Sequence, residues 1–217
     1  MSHSRARATR MPESPAASVR ASHVALMPSP SQLLDLLPPA GAWTTEDYLW
    51  LTRDTNQLIE LADGRLETLP MPTVTHQLVL KRLLWALDAY LQARGGLVLF
   101  APLKLRLAPG RFREPDILAL LDQADARLGE QFWTGADLVV EILSASNRDH
   151  DLLTKRVEYA AAGIEEYWLA DPDTRTLTVL VLDGDRYREH GQFGVGQAAT
   201  SPLLSELSLE LAEVFGR

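Results

Sequence analysis

Cysteine is absent from this chain of 217 residues. Without thiols the protein forms no disulfide bond, no cysteine-based zinc site and no thiolate nucleophile. Any metal ion must therefore be held by oxygen or imidazole ligands, a preference that favours magnesium or manganese.

Long apolar runs are absent as well. No segment approaches the roughly 18 uninterrupted apolar residues of a membrane-spanning helix, and the N-terminus has no apolar block of the kind found in secretory signals. We therefore expect a cytoplasmic protein with no membrane contact.

Basic residues are fewer than acidic ones. The chain has 21 Lys and Arg against 29 Asp and Glu, a formal net charge of −8. This balance argues against a surface coated in positive charge, but it leaves room for a local basic track. The candidates for such a track are Lys104, Arg106, Arg111, Arg113, Arg148 and Arg156. They would bind a polyanion such as DNA or form an ordinary solvated face, and the sequence alone does not separate these readings.

Two compositional regions divide the chain. Residues 1–42 are rich in Ser, Ala, Pro and Arg with little hydrophobic periodicity, which predicts a disordered leader. Residues 43–217 carry periodic apolar patterns, and the apolar content of 46% is enough for one hydrophobic core. We expect a single domain over 43–217, opening with a short helix that Thr44 caps.

A hairpin and a long helix come next in the predicted order. Asp63 and Gly64 supply the positive φ angles of a tight turn between two short strands. From about His76 to Arg94 the leucine spacing predicts one buried helix face, and Gly95 ends the helix. The leucines of that face are Leu80, Leu83, Leu84, Leu87 and Leu91.

The remainder alternates between strands and a helix. Strands are predicted over 103–107, 116–121 and 137–143, then over 166–169 and 176–182 after a helix from Asp149 to Ala162. The candidate packing residues of that helix are Leu152, Val157, Tyr159 and Ala160. The order indicates an α/β (α+β) fold, a central mixed β-sheet flanked by helices after an N-terminal β-hairpin.

Two carboxylates, Asp116 and Glu141, interrupt buried apolar runs. A buried bare carboxylate costs several kcal/mol unless a cation or hydrogen-bond donors compensate it. If the strands are neighbours, the pair forms a seat for a magnesium ion. In the alternative reading Asp116 begins its strand in water after Pro115 and Glu141 pairs with an arginine, and spacing alone leaves both open.

Lys155 follows on the next predicted helix. Its ammonium can reach back over the same sheet edge, or it can lie in solvent and pair with Asp151 four residues earlier. Spacing alone favours the second reading.

Several segments carry a resemblance to a known family. They are REPD (113–116), DLVVEILSAS (137–146), DLLTK (151–155), YAAAGIEEYWLADP (159–172) and ELADGRL (60–66). Together they resemble the Uma2 (DUF820) family of the PD-(D/E)XK restriction-endonuclease-like superfamily. The resemblance covers residues 44 to 185, and the ordered run of matches is more specific than any one motif.

The resemblance implies a restriction-endonuclease-like core and a magnesium-dependent endonuclease that cuts DNA. Asp116, Glu141 and the backbone carbonyl of Ile142 would bind Mg2+, with Mn2+ as a substitute. The superfamily's lysine two residues after the glutamate is replaced here by Leu143, and Lys155 is the position that matches the family's migrated lysine. Glu60 matches a hairpin glutamate, which is either a further catalytic carboxylate near the metal or a solvated ribbon residue.

Three further side chains need an interpretation. His76 precedes the long helix, and we expect it to bond to backbone or solvent, outside the catalytic set. Tyr167 and Trp168 lie in a predicted late strand, where alternation makes at least one of them a core residue and not a base-stacking surface.

Other functions stay compatible with the sequence. If the protein is not a DNA endonuclease, it is a non-catalytic protein on a degenerate nuclease fold that binds nucleic acid or a partner. The second alternative is a hydrolase of another phosphoester. A homodimer is a hypothesis taken from superfamily members that pair to cut both strands.

Overall fold

The computed structural model describes residues 37–55, 57–145 and 148–216. Residues Ala40–Arg217 form one compact unit. The predicted disordered leader, residues 1–42, lies outside the described residues for all but its last six positions. In the described part of the chain, no helix is both long and apolar enough to cross a membrane.

The helices are few and mostly short. They are α1 (Thr45–Thr52), α2 (Val74–Gln92), α3 (Arg156–Ala161) and α4 (Leu211–Phe215), with a π-helical turn (His150–Lys155) that leads directly into α3. The predicted cap of α1 is confirmed, because the Thr44 hydroxyl accepts the Asp47 N–H at 3.1 Å and the Asp47 carboxylate accepts the Thr44 N–H.

In the described residues, strands account for more of the regular secondary structure than helices do. They are β1 (Ile59–Ala62), β2 (Arg65–Thr68), β3 (Leu97–Phe100), β4 (Lys104–Ala108), β5 (Arg111–Arg113), β6 (Ile117–Leu120), β7 (Phe132–Trp133), β8 (Leu138–Ile142), β9 (Glu166–Asp171), β10 (Thr176–Asp183), β11 (Arg186–Gly194), β12 (Ala198–Thr200) and β13 (Ser208–Glu210).

The main sheet has six strands in the order β11-β10-β9-β8-β6-β3. Strands β8 and β9 run parallel and the other pairs run antiparallel, so the predicted mixed sheet is confirmed.

The five-stranded sheet β2-β1-β5-β4-β7 contains the predicted hairpin. Its turn has Asp63 at φ 51° and Gly64 at φ 70°, and a Cβ on Gly64 would lie 2.5 Å from the Gly41 carbonyl oxygen.

One predicted strand lies outside the central sheet in which we expect it. The alternating segment 103–107 pairs in the five-stranded sheet as β4. The main sheet contains β3 instead, a strand that hydrophobic periodicity does not predict. Strand β3 begins at Leu97, immediately after the glycine stop of α2, and has only four residues. A short apolar run without alternation carries no periodicity signal, and partner choice depends on contacts distant in sequence.

The core fills both faces of the main sheet. Helix α2 packs its leucines on one face, as predicted from their spacing, and α3 packs Tyr159 and Ala160 on the other. Val157, expected to pack as well, is 69% exposed. Asp151, Lys155 and Tyr159 recur every four residues and are all buried, so they form the inward face, and Val157 lies on the opposite side.

Leu87 tests the packing of α2 on the sheet. Because its side chain is fully buried, Leu87→Ala should lower the free energy of unfolding by about 2–5 kcal/mol in urea titrations. Leu78→Ala on the same helix is the matched control, since that leucine is 43% exposed and should cost less than about 1 kcal/mol. Equal losses would contradict the described packing.

Candidate metal centre

Asp116 and Glu141 are brought together by the antiparallel pairing of β6 with β8. Ile117 lies opposite Val140, which places Asp116 beside the end of β8. The Ile142 N–H donates to Asp116 Oδ2 at 2.7 Å. The structure therefore places all three predicted ligand residues at one end of the main sheet.

His76 reaches this site from the first turn of α2. Its Nε2 lies 3.1 Å from Asp116 Oδ2, so the expectation that it bonds only to backbone or solvent is wrong. Thr73 caps the helix by accepting the His76 N–H, which aims the imidazole at the sheet end. A long-range contact of this kind leaves no trace in local spacing.

Lys155 is buried, only 1% exposed, and contacts three carboxylates. Its Nζ donates to Glu141 Oε1 at 2.9 Å and lies 3.2 Å from Asp151 Oδ1 and 3.4 Å from Glu60 Oε1. The contact with Asp151 that the spacing indicated is present. The predicted exposure of Lys155 to solvent is wrong, because the side chain is buried. Tyr159 also donates its hydroxyl to Glu141 Oε1, at 2.7 Å.

Glu60 is fully buried, so its reading as a solvated ribbon residue is wrong. It accepts the Glu114 N–H at 3.0 Å and an Arg113 N–H at 2.8 Å. The same Arg113 guanidinium donates to Glu67 and makes a two-bond pair with Glu158 of α3 at 2.7 and 2.9 Å. Arg113 thus ties the hairpin, β5 and α3 together.

The cluster holds more carboxylates than cations. Burial raises the pKa of Glu141 to about 8; Lys155 opposes this shift, while Asp151, Asp116 and Glu60 add to it. Burial also raises the pKa of Asp151. Burial alone would lower the pKa of Lys155, but its three acidic neighbours outweigh that effect and keep it well above the ordinary value. Lys155 therefore stays protonated.

A hard divalent cation fits this arrangement. Asp116 and Glu141 line a cavity of about 840 Å³ together with Ile142 and Lys155. Asp116 Oδ1 and Glu141 Oε2 accept no hydrogen bond from the described residues, whose contacts all go to the other oxygens. Two free carboxylate oxygens in an acidic pocket match the ligand preference of magnesium.

A second group of ligand-type atoms was not foreseen. Atoms of Glu60, Glu67 and His150 lie within 4.8 Å of one another. Arg113 Nη1 already donates to both glutamates, at 2.8 and 2.6 Å, so the cation at that point is the guanidinium. The spacing of these residues in the sequence carries no signal for this contact.

Four of the six residues of the proposed basic track pair with carboxylates, and Arg106 lies over the ring of Phe132. Arg113 is buried among carboxylates, Arg111 donates to Asp63 at 2.7 Å and Arg148 to Asp171 at 2.6 Å. Arg156 donates to a backbone carbonyl, and Lys104 lies 3.7 Å from Glu114. These residues do not form a continuous surface that binds a polyanion, because Arg113, in the middle of the set, is buried.

Tyr167 and Trp168 are both buried, which confirms their assignment to the core. The Tyr167 hydroxyl donates to the Asp151 carbonyl at 3.0 Å, below the cluster. Neither ring is available to stack on a base.

The model of the Uma2 family, described as "Putative restriction endonuclease", matches residues 45–212 of the chain. The protein therefore belongs to the Uma2 family, and the resemblance drawn from its motifs is confirmed. No protein of curated function matches the chain.

A solved structure shares the fold. It is the crystal structure of a "putative nuclease belonging to DUF820" from Anabaena variabilis ATCC 29413, with a TM-score of 0.66. The similarity covers 79% of this chain and 97% of that one, at 20% sequence identity. At this identity the likeness establishes the nuclease-like fold.

Arg113→Leu tests how far the fold depends on the buried ion pairs. Removal of the guanidinium leaves Glu60 buried beside fewer cations, so the free energy of unfolding should fall by about 3–5 kcal/mol. Arg53→Leu is the control, because it breaks a pair with Asp54 in which both side chains are exposed and should cost about 0–1 kcal/mol. Chemical denaturation of both variants measures the difference, and similar costs would refute a structural role for Arg113.

Proposed function

We propose that this protein is a divalent-metal-dependent endonuclease that hydrolyses phosphodiester bonds in DNA. The observation that carries the proposal is the pair of carboxylates, Asp116 and Glu141, set at one cavity beside a buried protonated lysine. The family to which the chain belongs is described as "Putative restriction endonuclease", which supports the same reaction.

Asp116, Glu141 and the backbone carbonyl of Ile142 would hold Mg2+, with Mn2+ as a substitute. A divalent ion at this position supplies Lewis-acid activation of water and neutralises charge that grows on the phosphodiester. His76 and the Ile142 N–H both contact Asp116 Oδ2, which orients the carboxylate and leaves Oδ1 for the ion.

Lys155 would act as a fixed positive charge and not as a base. Its acidic neighbours keep it protonated, so it can donate a hydrogen bond to the attacking water and stabilise the transition state electrostatically. Glu60 does not line the cavity, and its contact with the ammonium at 3.4 Å supports a role through Lys155. We assign Glu60 as a positioning residue on this basis.

Metal titration and cleavage test the proposal directly. Calorimetric titration of Mg2+ and Mn2+ should show binding to the protein that Asp116→Ala and Glu141→Ala both abolish. Cleavage of plasmid and single-stranded DNA should need the metal, both carboxylates and Lys155. Asp88→Ala, an exposed acid of α2, is the control and should change neither property.

The results separate the alternatives. Metal binding unchanged by both substitutions would refute the site. Metal binding without cleavage of either DNA would refute the endonuclease and favour a non-catalytic binding protein or a hydrolase of another phosphoester.

Tyr159→Phe tests whether the hydroxyl contact positions Glu141. Loss of a hydrogen bond that orients a metal ligand should weaken magnesium binding by about 10–100-fold while the fold is retained. Tyr187→Phe is the matched control, because that buried hydroxyl donates to the Ile164 carbonyl at 2.7 Å, away from the carboxylates. Equal effects of the two variants on metal affinity would contradict the assignment.

A further inference from the structure

The cavity of the metal centre has an apolar wall that the proposed chemistry does not use. The wall is formed by the segment between β2 and α2 and by the end of β3, and its residues are Leu69, Pro70, Met71, Pro72, Phe100 and Pro102. Two of these apolar side chains are unusually open to solvent, with Met71 84% and Phe100 49% exposed. Exposed apolar side chains beside a reactive centre are candidates for ligand contacts.

Phe100 is tied to the carboxylate site by backbone pairing. It lies opposite Ile117 in the β3–β6 register, and the next residue, Ala101, donates its N–H to the Asp116 carbonyl at 3.2 Å. The aromatic residue therefore stands one position along from Asp116, at the same end of the sheet. One cavity joins the carboxylates to the apolar wall.

The charge distribution restricts what can bind here. Arg113, Arg111 and Arg148 are engaged by carboxylates, so they offer little free positive charge to a phosphate backbone. A ligand must then gain affinity from apolar contact as well as from a metal-held phosphate. A nucleotide has both parts, a phosphodiester and a flat base with apolar faces.

We propose that the substrate is a single-stranded polynucleotide whose unpaired base stacks on Phe100 and contacts Met71 while its phosphodiester lies at Asp116 and Glu141. This assignment rests on the proposed nuclease function and names the substrate class of that site. Bases in a duplex are stacked on one another and reach such a wall only after extrusion, at a cost of a few kcal/mol. A homodimer is expected where two active sites are needed to cut both strands of a duplex. A single-stranded substrate needs only one active site, so it does not require a homodimer.

The experiment uses short oligonucleotides that contain 2-aminopurine, whose fluorescence is quenched when it stacks. Single-stranded DNA, single-stranded RNA and duplex DNA of one sequence are titrated into the full chain with Ca2+, and cleavage is then followed with Mg2+. Single strands should bind tighter than the duplex and show quenching. Phe100→Ala should weaken this binding by about 5- to 150-fold and remove the quenching, as loss of one base–aromatic stack does.

Two variants serve as controls. Phe100→Trp keeps an aromatic face and should retain both affinity and quenching. Trp85→Ala removes an exposed aromatic residue of α2 that contacts Lys81 and lies outside the cavity, and it should bind as the unaltered protein does. Because Phe100 is half exposed, Phe100→Ala should keep its thermal midpoint, and this is measured alongside.

The outcomes distinguish this inference from the proposed function. Duplex DNA bound and cut as well as single strands, with no effect of Phe100→Ala, would overturn the inference and leave the nuclease intact. Quenched binding of single strands without cleavage would support the stacking wall and overturn the nuclease. Binding of only one of single-stranded DNA and RNA supports the inference and identifies the preferred sugar, and binding of both supports it without a sugar preference.

Two further outcomes would overturn the inference. Free nucleotides that compete as strongly as the oligonucleotide would restrict the cavity to a small ligand. Absence of binding to either strand form, combined with self-association that Phe100→Ala abolishes, would assign the wall to an interface between two copies.

Discussion

The buried ammonium of Lys155 is the interaction on which the rest of the structure depends. Its three carboxylate partners come from separate parts of the fold: Glu60 from the hairpin, Glu141 from the central strand β8 and Asp151 from the π-turn. Each of these charges would cost several kcal/mol in the interior without its partners, so the elements must assemble together or not at all. Asp151 and Lys155 both lie in the π-turn, four residues apart, and both are buried. Arg113 extends the network by holding Glu60 from its other side.

The same network leaves an excess of negative charge at one end of the sheet. Burial and neighbouring acids raise the pKa of Glu141 to about 8, which marks a carboxylate that its surroundings stabilise poorly as an anion. A divalent cation between Asp116 and Glu141 would relieve this repulsion. The proposed metal centre is thus a place where stability is given up for binding, as is common at functional sites.

The proposed recognition of a substrate depends on the metal centre and the apolar wall more than on the basic residues. Arg113 is buried between Glu60 and Glu158, and Arg148, which stays partly exposed, pairs with Asp171. The accessible lining of the cavity is mostly apolar, and Phe100 lies at the same end of the sheet as the carboxylates. On the proposed function, an acidic protein would hold a polyanion through a metal ion and a stacking surface.

The sequence by itself determined the elements whose signals are local: the capped α1, the Asp63–Gly64 turn, the leucine face of α2 and the apolar run that carries Glu141. Interrupted apolar runs also indicated Asp116 and Glu141 as candidates, and family motifs added Glu60 and favoured a catalytic role for Lys155. Only the tertiary structure decided that β3 joins the main sheet, that Val157 faces solvent after a π-turn, that His76 contacts Asp116 and that Arg113 is buried. The physical reason is range: caps, turns and helix faces arise within a few residues, whereas the Arg113–Glu60 pair joins residues 53 positions apart, and only the packed fold brings such charges into contact.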